Sequence, residues 1–278
     1  MKLTRVAFVY DFDGTLARGN IQENSFLPKL GLSREAFWKQ AKELSKEKEM
    51  DEILAYMYLL LTEAKKSNIA FRREDLRCHG KKVCYFNGVE TWFDRINAYA
   101  KSQHLALEHY IISSGTYEMI MGTSIAKYFK FVYASSFMYD ANDVPVWPAL
   151  AINYTTKTQY LFRINKGIEN AWDNAKINDY MPMSERPIPF SNMVYLGDGL
   201  TDVPAMKMTT SQGGTAIGVY APHSKDQRNV KKLLQQQRVN YVAPADYGEE
   251  SKLDRLLKFI LNGISARCSA KLIACPKV

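Results

Sequence analysis

Two carboxylates, spaced two residues apart, follow a short apolar stretch near the start of the sequence. Asp11 and Asp13 come directly after residues 6–10 and are followed by Gly14 and Thr15. A buried strand that ends in two negative charges is electrostatically unfavourable unless a cation or a held proton compensates them. Glycine after the second carboxylate lets the chain turn sharply. The pattern favours a divalent metal site with acid–base chemistry over a turn that aspartate merely caps.

A second pair of carboxylates follows another apolar stretch, residues 193–196. Asp198 lies between two glycines, and Asp202 follows four positions later. Glycines on both sides let the backbone approach a ligand closely. Read alone, the segment could be a simple Asp-Gly turn before a helix N-cap. Together with the first pair, it favours one shared site for a hard cation such as Mg²⁺.

Small hydrogen-bond donors end a third apolar stretch, residues 109–113. Ser113 and Ser114 supply hydroxyl groups, and Gly115 follows them at the start of a predicted helix. Hydroxyl groups and backbone N–H groups at a helix start are a natural cradle for phosphate. The alternative is that a serine here only caps the helix.

These segments need a fold that brings the ends of separate strands together. Short runs of β-branched and aromatic residues predict strands at 6–10, 109–113, 131–134, 193–196, 215–219 and 241–243. Predicted helices lie at 91–101, 118–129, 158–168 and 252–261. Several of these strands are almost continuously apolar, as in a parallel sheet covered on both faces. The alternation predicts an α/β fold with a doubly wound, Rossmann-like parallel sheet.

The interval after the first strand breaks this alternation. Residues 34–48 and 50–66 look like consecutive helices, without a convincing strand before residue 87. We therefore predict an inserted α-helical cap at residues 18–86. It would stand over the carboxyl ends of the strands, where open α/β sheets bind ligands. The aromatic residues of the interval, Tyr56 among them, are expected to form the core of the cap.

The remaining residues, 1–17 and 87–278, are predicted to form the core domain. Two excursions from it are expected. Residues 137–154 carry turn signals and two prolines and could form a β-hairpin. Residues 171–192 look like an irregular insertion with extra helix.

In this order, the three segments make the chain resemble the haloacid dehalogenase superfamily of phosphohydrolases. Residues 11–15 match its first motif, Ser113 its second, and residues 198–202 its fourth. The inserted helices resemble the cap of the branch that contains phosphoserine phosphatase. The resemblance implies a Mg²⁺-dependent phosphatase that acts on a small phosphate ester.

The resemblance also implies a role for each matched residue. Asp11 would attack phosphorus and become an aspartyl-phosphate, while Asp13 would protonate the leaving oxygen and later deprotonate water. Mg²⁺ would be held by the Asp11 and Asp198 carboxylates and by the backbone carbonyl of Asp13. Asp202 would orient a water bound to the metal.

The third motif of this family is a lone lysine, and Lys157 is the best match. With Ser113 and the N–H groups after it, this lysine would bind the transferring phosphoryl group. Asp198 follows Lys157 by 41 positions, a long interval for the family. Lys166 and Lys127 therefore remain alternatives, although both fit solvated helix positions.

Substrate identity is not readable from the sequence. Phosphoserine phosphatases carry a glutamate shortly after the first motif that engages the substrate's amino group. Here the corresponding position is Asn20, and Glu23 lies nearby. We expect both residues, at the root of the cap, to contact the part of the substrate beyond its phosphate. The structural alternative is that they form only the first turn of a cap helix.

Composition narrows the other possibilities. The longest strongly apolar run, residues 55–61, is far shorter than the roughly 20 residues that span a bilayer. The net charge of +8 suits anionic ligands, but no basic block is dense enough to argue for nucleic acid. Four cysteines without metal-type spacing indicate a reducing, cytoplasmic setting. The oligomeric state is not predicted.

Three other functions are compatible with this resemblance. Dehalogenation needs neither a metal nor an acid, so the four aspartates argue against it. A non-catalytic phosphate-binding protein would not need every catalytic position filled. A phosphotransferase or mutase shares the aspartyl-phosphate step and differs only in the acceptor, which would be a second substrate in place of water.

Overall fold

One seven-stranded sheet organises the protein in a computed structural model that describes residues 3–69, 71–222, 224 and 227–274. The strands in chain order are β1 (Thr4–Tyr10), β2 (Leu105–Thr116), β3 (Phe129–Tyr139), β4 (Pro145–Leu150), β5 (Met193–Gly197), β6 (Thr215–Tyr220) and β7 (Tyr241–Pro244). They lie side by side in the order β4-β3-β2-β1-β5-β6-β7. All neighbours are parallel except β3 and β4.

Helices connect and cover these strands. They are α1 (Phe26–Lys29), α2 (Arg34–Glu47), α3 (Glu52–Lys66), α4 (Arg73–Gly80), α5 (Val89–Ser102), α6 (Tyr117–Met121), α7 (Lys157–Lys166), α8 (Asn174–Asn178), α9 (Val203–Ser211), α10 (Arg228–Gln235) and α11 (Lys252–Ala274). Short 3-10 turns include Ile21–Glu23 and Leu200–Asp202. The helix set and the mostly parallel sheet confirm the predicted α/β class.

Both faces of the sheet are buried, as the central strand shows. Alternate side chains of β1 point to opposite faces. Phe8 belongs to an apolar cluster with Trp92 of α5 and Leu257 of α11, whereas Val9 belongs to a second cluster with Leu161 of α7. Strands covered on both sides must be apolar along their whole length. This explains the nearly continuous apolar runs in the sequence.

The order of the strands decides where the chemistry-bearing residues meet. β1 lies between β2 and β5, and the three strands run parallel. Tyr10, the last residue of β1, pairs with Ile111 of β2 and Leu196 of β5. The residues that follow these positions therefore emerge at one edge of the sheet.

Residues 18–86, called here the inserted segment, contain α1 to α4 and no named strand among their described residues. Its two connections to the sheet run side by side, because Arg18 N–H donates to the Cys84 carbonyl and Phe86 N–H donates to the Leu16 carbonyl. Apolar side chains of the segment, such as Phe37, join the cluster on one face of the sheet. The division into a core domain and a cap remains a proposal.

One predicted helix is wrong. Residues 118–129 were expected to be helical, but α6 ends at Met121 and β3 already begins at Phe129. Gly122 ends the helix, and the Thr123 hydroxyl donates to the Ile120 carbonyl at 2.6 Å. A side-chain hydroxyl that donates to a carbonyl near the end of a helix competes with the backbone N–H that would continue the helix.

Other expectations outside the sheet agree with the structure. The hairpin within residues 137–154 is formed by β3 and β4, which are antiparallel. The insertion at 171–192 is largely irregular, with α8 and two 3-10 turns. The last helix is longer than predicted and reaches Ala274. No described helix is long and apolar enough to cross a membrane.

The cysteine spacing predicts reduced thiols. Cys78, Cys84 and Cys268 are free thiols, and the first two are exposed. Cys275 lies outside the described residues.

Candidate active site

Three carboxylates converge at the edge where β1 and β5 end. Asp11, Asp198 and Asp202 each offer an oxygen atom, and these atoms all lie within 4.8 Å of one another. Asp11 is only 6% exposed and Asp202 is fully buried. Burial and the neighbouring Asp202 raise the pKa of Asp11, and the Lys157 cation offsets this only in part. The cluster therefore holds more negative charge than the protein itself neutralises.

Gly14 makes this convergence sterically possible. Its φ is +72°, in the left-handed region that favours glycine. A Cβ atom built there would lie 2.0 Å from Oδ2 of Asp198. The glycine of the first motif is thus required by the close approach of the fourth-motif carboxylate. Sequence spacing alone cannot show this contact.

Asp13 points toward the inserted segment. Its Oδ1 accepts a hydrogen bond of 2.8 Å from the Ile21 N–H, and its Oδ2 would be 2.8 Å from a Cβ built on Gly115. Burial raises the pKa of Asp13 to about 7, while the Ile21 N–H opposes that rise. A carboxyl group with this pKa can both donate and accept a proton near neutral pH.

Lys157 is buried and reaches two of the three carboxylates. Its Nζ lies 2.7 Å from Oδ1 of Asp202 and 3.2 Å from Oδ2 of Asp11. Burial lowers the pKa of the lysine, but the two carboxylates outweigh burial and raise that pKa above its ordinary value. The side chain is therefore a fixed cation beside Asp11.

The alternative lysines lie elsewhere. Lys166 donates to the backbone carbonyls of Ile177 and Asp179, each at 2.6 Å. It holds the 171–192 insertion in place. Lys127 lies over the ring of Tyr128, with its nitrogen 5.0 Å from the ring centroid. Of the three candidates, the structure brings only Lys157 to the carboxylates.

Asp202 is held by three donors from the protein. Its Oδ1 accepts from Lys157 and from the Tyr195 hydroxyl, both at 2.7 Å, and its Oδ2 accepts from the Gly199 N–H at 3.2 Å. Asp198 has fewer such partners, and burial together with Asp202 raises its pKa to about 7. Tyr195 was missed by sequence reasoning. Its only signal is a hydroxyl group in an otherwise apolar strand before Gly197.

The serine loop lies beside Asp13. Ser113 is fully buried, and its Oγ accepts a 2.9 Å hydrogen bond from the Gly115 N–H. The Ser114 Oγ is buried without a hydrogen-bond partner in the described part of the chain. Tyr56, from α3, donates to the Ser114 carbonyl at 2.6 Å. Donors that a bound anion could use are thus concentrated at this strand end.

Part of this arrangement opens onto one cavity of about 440 Å³, whereas the fully buried Lys157 and Asp202 lie behind its lining. The sequence-predicted residues that line it are Asp11, Asp13, Asn20, Ser113, Ser114, Gly115 and Asp198. Side chains missed by sequence reasoning also line it: Gln22, Arg34, Trp38, Ile53, Phe86 and Thr201. Tyr56, which we expected to be core, is 2% exposed and also lines the cavity. Helical positions such as Arg34 carry no local motif that could have identified them.

The two predicted specificity residues take different places. Asn20 lines the cavity, but Glu23 does not belong to its lining. The Glu23 carboxylate instead accepts from Asn20 and from the Trp38 indole, and it pairs with Arg34. Asn20 precedes a 3-10 turn that ends at Glu23, and this turn is separate from α1, which begins at Phe26.

The donor set fits a divalent cation. Carboxylate oxygens are the ligands that Mg²⁺ prefers. Burial and the neighbouring Asp202 raise the pKa values of Asp11 and Asp198, and a bound cation would offset both causes. Asp202 is already engaged by Lys157 and Tyr195. Asp11 and Asp198 are therefore the better candidates for direct ligands.

Comparison with known proteins places this site in a family. The profile of the haloacid dehalogenase-like hydrolases matches residues 8–207. A protein of Borreliella burgdorferi, described as uncharacterized, is 30% identical over 274 residues, which cover 89% of this chain and 93% of that protein.

Solved structures show the same fold. A HAD family hydrolase from Salmonella enterica serovar Typhi superposes with a TM-score of 0.55 at 17% identity, covering 86% of this chain and 67% of that one. A phospho-aspartyl intermediate analogue of phosphoserine phosphatase superposes with a TM-score of 0.53 at 14% identity, covering 92% and 99%. At these identities the likeness concerns the fold alone.

Proposed function

Because the chain belongs to the haloacid dehalogenase-like hydrolase family, we propose that it is a Mg²⁺-dependent phosphatase acting on a small phosphomonoester. The observation that carries the proposal is the position of Asp11. Its carboxylate lies 3.2 Å from the Lys157 ammonium, within a cavity that Asp13 and Ser113 also line. A nucleophile, a proton donor and groups for a phosphoryl anion are thus side by side.

In the first step, an Asp11 oxygen attacks phosphorus and the bond from phosphorus to the leaving oxygen breaks. Asp13 transfers its proton to that oxygen, so the product leaves as a neutral alcohol. The enzyme retains an aspartyl-phosphate. The raised pKa of Asp13, about 7, supports its role as the acid, because a protonated form is present near neutral pH.

In the second step, water attacks the phosphorus of the aspartyl-phosphate. Asp13, now a carboxylate, accepts a proton from this water, and the bond from phosphorus to the Asp11 oxygen breaks. Inorganic phosphate and free Asp11 result. Using one group first as acid and then as base restores the starting protonation of the site.

The phosphoryl oxygens need fixed positive partners during both steps. Lys157 supplies a buried cation that donates to Asp202, and the Tyr195 hydroxyl donates to the same oxygen of Asp202 and so holds this carboxylate in place. The Ser113 hydroxyl and the Ser114 N–H would supply further donors at the end of β2, and the Gly115 N–H, which donates to the Ser113 Oγ in this structure, would join them by turning to the phosphate. Such preorganised donors stabilise developing charge without rearranging.

Asp11, Asp198 and the backbone carbonyl of Asp13 would hold Mg²⁺, with Asp202 acting on its water shell. When bound, the ion would neutralise the carboxylates and the phosphate charge, so that an anionic nucleophile can approach an anionic ester. The carboxylate cluster supports a divalent cation in general, and the choice of Mg²⁺ comes from the family resemblance.

Transfer to a second substrate is the alternative to hydrolysis. A phosphotransferase or mutase would use the same aspartyl-phosphate and exclude water from the second step. A non-catalytic role is less well supported, because each expected catalytic position is filled. A cytoplasmic location, suggested by cysteine usage, and a small-molecule substrate without nucleic acid are further parts of this proposal.

A screen of phosphorylated metabolites and an aryl phosphate, with Mg²⁺ and with excess chelator, tests the proposal. We expect phosphate release that needs Mg²⁺ and disappears in Asp11→Asn, whose amide cannot act as the nucleophile. Asp179→Asn, which changes an exposed aspartate of the 171–192 insertion, is the matched control. Full activity of metal-stripped protein in chelator, or of Asp11→Asn, would contradict the mechanism.

A further inference from the structure

The inserted segment contributes its own part of the cavity lining, which is chemically different from the carboxylate end. This leaving-group wall consists of Asn20, Gln22, Arg34, Trp38, Ile53, Tyr56 and Phe86. It combines a cation, two amides and apolar or aromatic surface. No acidic side chain belongs to it among the described residues. With the phosphate bound at the carboxylate end of the cavity, the alcohol to which it is attached would lie against this wall.

Glu23 lies behind this wall, and its charge is already used. Its Oε1 accepts from the Asn20 side-chain amide and from the Trp38 indole N–H, both at 2.6 Å. The same atom lies 3.1 Å from Nε of Arg34, and the Glu23 side chain is only 9% exposed. The Asn20 backbone N–H also donates to Oε2, at 3.2 Å. Glu23 is therefore a positioning residue for three members of the wall.

A consequence concerns positively charged substrates. An ammonium group in a confined site needs a carboxylate partner to offset its lost hydration. Glu23 is engaged three ways, and the remaining carboxylates of the cavity, Asp11, Asp13 and Asp198, belong to the phosphoryl end. The wall therefore provides no free anionic partner for an amino group.

Arg34, by contrast, favours a negatively charged group on the substrate. Its Nε faces Glu23, whereas its two terminal nitrogens have no hydrogen-bond partner among the described residues. The side chain is 61% exposed, so these donors are accessible from the cavity mouth. A guanidinium edge with free donors matches a carboxylate or phosphate group.

Gln22 adds a neutral acceptor. The residue is 1% exposed and lines the cavity. Its amide nitrogen donates to the Thr116 hydroxyl at 3.3 Å, but its Oε1 has no partner in the described part of the chain. A buried carbonyl without a donor is unfavourable. A hydroxyl group on the substrate would satisfy it.

From these contacts we infer that the leaving alcohol is a hydroxy acid that carries no amino group. Its carboxylate binds the Arg34 guanidinium, and its free hydroxyl donates to the Gln22 carbonyl. Glu23 does not bind the substrate and only positions wall residues. The inference rests on the proposed phosphatase function and names the substrate class of that same site.

Three matched phosphate esters test the inference. 3-Phosphoglycerate carries the acid and the hydroxyl, glycerol 3-phosphate replaces the acid by a neutral group, and O-phosphoserine replaces the hydroxyl by an ammonium. We expect kcat/KM for 3-phosphoglycerate to exceed the other two values by about 10-fold or more, the effect of one charge-assisted hydrogen bond. An aryl phosphate is measured in parallel with Mg²⁺.

Arg34→Gln should reduce the preference for 3-phosphoglycerate over glycerol 3-phosphate by about 10-fold. It also removes one partner of Glu23, so relative activity on O-phosphoserine should rise. Lys39→Gln removes a positive charge from the exposed side of the same helix and should keep the wild-type ratio. This control separates a local contact from the general field of the basic protein.

The outcomes distinguish this inference from the proposed function. No hydrolysis of any ester, the aryl phosphate included, would contradict the phosphatase itself. Hydrolysis of the aryl phosphate without a preference for 3-phosphoglycerate, or with O-phosphoserine preferred by the wild type, would overturn the hydroxy-acid inference alone. An unchanged ester ratio in Arg34→Gln would also overturn it.

Discussion

The ammonium nitrogen of Lys157 lies 2.7 Å from Oδ1 of Asp202, and both side chains are fully buried. Asp202 comes from the turn after β5, whereas Lys157 begins α7. Their contact joins the residues that we propose as the third and fourth motifs, and the lysine also lies 3.2 Å from Asp11. The long interval between the motifs in sequence is therefore no obstacle, because the 171–192 insertion leaves and returns without separating them.

Replacing this lysine tests the assignment of the third motif. Lys157→Met should lower kcat/KM by roughly 10²-fold or more, the usual effect of removing one group that stabilises the transition state. It should also lower the free energy of unfolding by about 3 kcal/mol, since two buried carboxylates lose their cation. Lys166→Met should affect the 171–192 insertion and keep most of the activity. A larger catalytic loss in Lys166→Met would reverse the assignment.

Asp13 can be tested through the leaving group. In Asp13→Asn, formation of the aspartyl-phosphate from an alkyl ester should slow by roughly 10²–10⁴-fold, because the poor leaving group needs a proton. An aryl ester with an acidic leaving group should slow much less. Single-turnover measurements of the first step compare the two directly. Equal losses on both esters would count against Asp13 as the acid.

Stability of the metal-free protein should depend on Asp198 and on pH. Burial, with Asp202, raises its pKa in the folded chain to about 7 from an ordinary 3.8. Between these values the folded state binds the proton more tightly, so this group's favourable contribution is present at low pH and is lost as pH rises toward 7. In chelator, Asp198→Asn should therefore raise the melting temperature more at pH 8 than at pH 4.

The expected size of this effect is about 1 kcal/mol, or roughly 2–4 °C, after discounting for solvent around a half-buried carboxylate. With saturating Mg²⁺ the wild type should have the higher melting temperature, because Mg²⁺ binding stabilises it and Asp198→Asn lacks one ligand for the ion. If Asp198→Asn is less stable than wild type at pH 8 in chelator, the negative charge of Asp198 already has a stabilising partner within the protein.

Gly14 tests the steric basis of the metal site. Gly14→Ala would place a Cβ atom 2.0 Å from Oδ2 of Asp198, so this carboxylate must move. We expect a higher Mg²⁺ concentration for half-maximal activity and a lower maximal rate. Gly213→Ala is a matched control, since Gly213 has a similar φ of +83° and nothing within 4 Å of its Cβ position. Similar Mg²⁺ requirements in the two variants would refute the steric explanation.

The burial of His109 predicts that the free energy of unfolding falls at acidic pH. Its ring lies between the Tyr10 hydroxyl at 3.1 Å and the Asn97 side-chain oxygen at 2.9 Å. Burial lowers its pKa to about 3 from an ordinary 6.5. The unfolded chain therefore binds the proton more readily between these values, so the contribution of this group to stability is complete above pH 6.5 and is lost as pH falls toward 3.

Urea unfolding at pH 7 and pH 5 measures this effect. The fall in unfolding free energy between the two pH values should be smaller in His109→Gln than in wild type. His104→Asn, which removes an exposed histidine, should retain the wild-type difference. An identical fall in His109→Gln would mean that other groups account for the acid sensitivity.

The sequence determined the sheet and the ends of its central strands. Continuously apolar runs predict buried parallel strands. Two of these runs are followed by aspartates, and this predicts which strand ends carry negative charge. Since carboxyl ends of adjacent parallel strands meet at one edge, Asp11, Ser113 and Asp198 could be placed together before any coordinates. The prediction of a helix at 118–129 was wrong. The local spacing of apolar residues does not show that the Thr123 hydroxyl donates to the Ile120 carbonyl near the end of α6.

Only the tertiary structure decided which side chains complete the site. Choosing Lys157 over Lys166 required distances, because the two lysines lie at opposite ends of α7 and only Lys157 reaches Asp11 and Asp202. Likewise, Glu23 looked available in the sequence, but in the fold Asn20 and Trp38 occupy its oxygens. Contacts between residues far apart in the chain depend on how the helices pack against the sheet, and no local pattern encodes that packing.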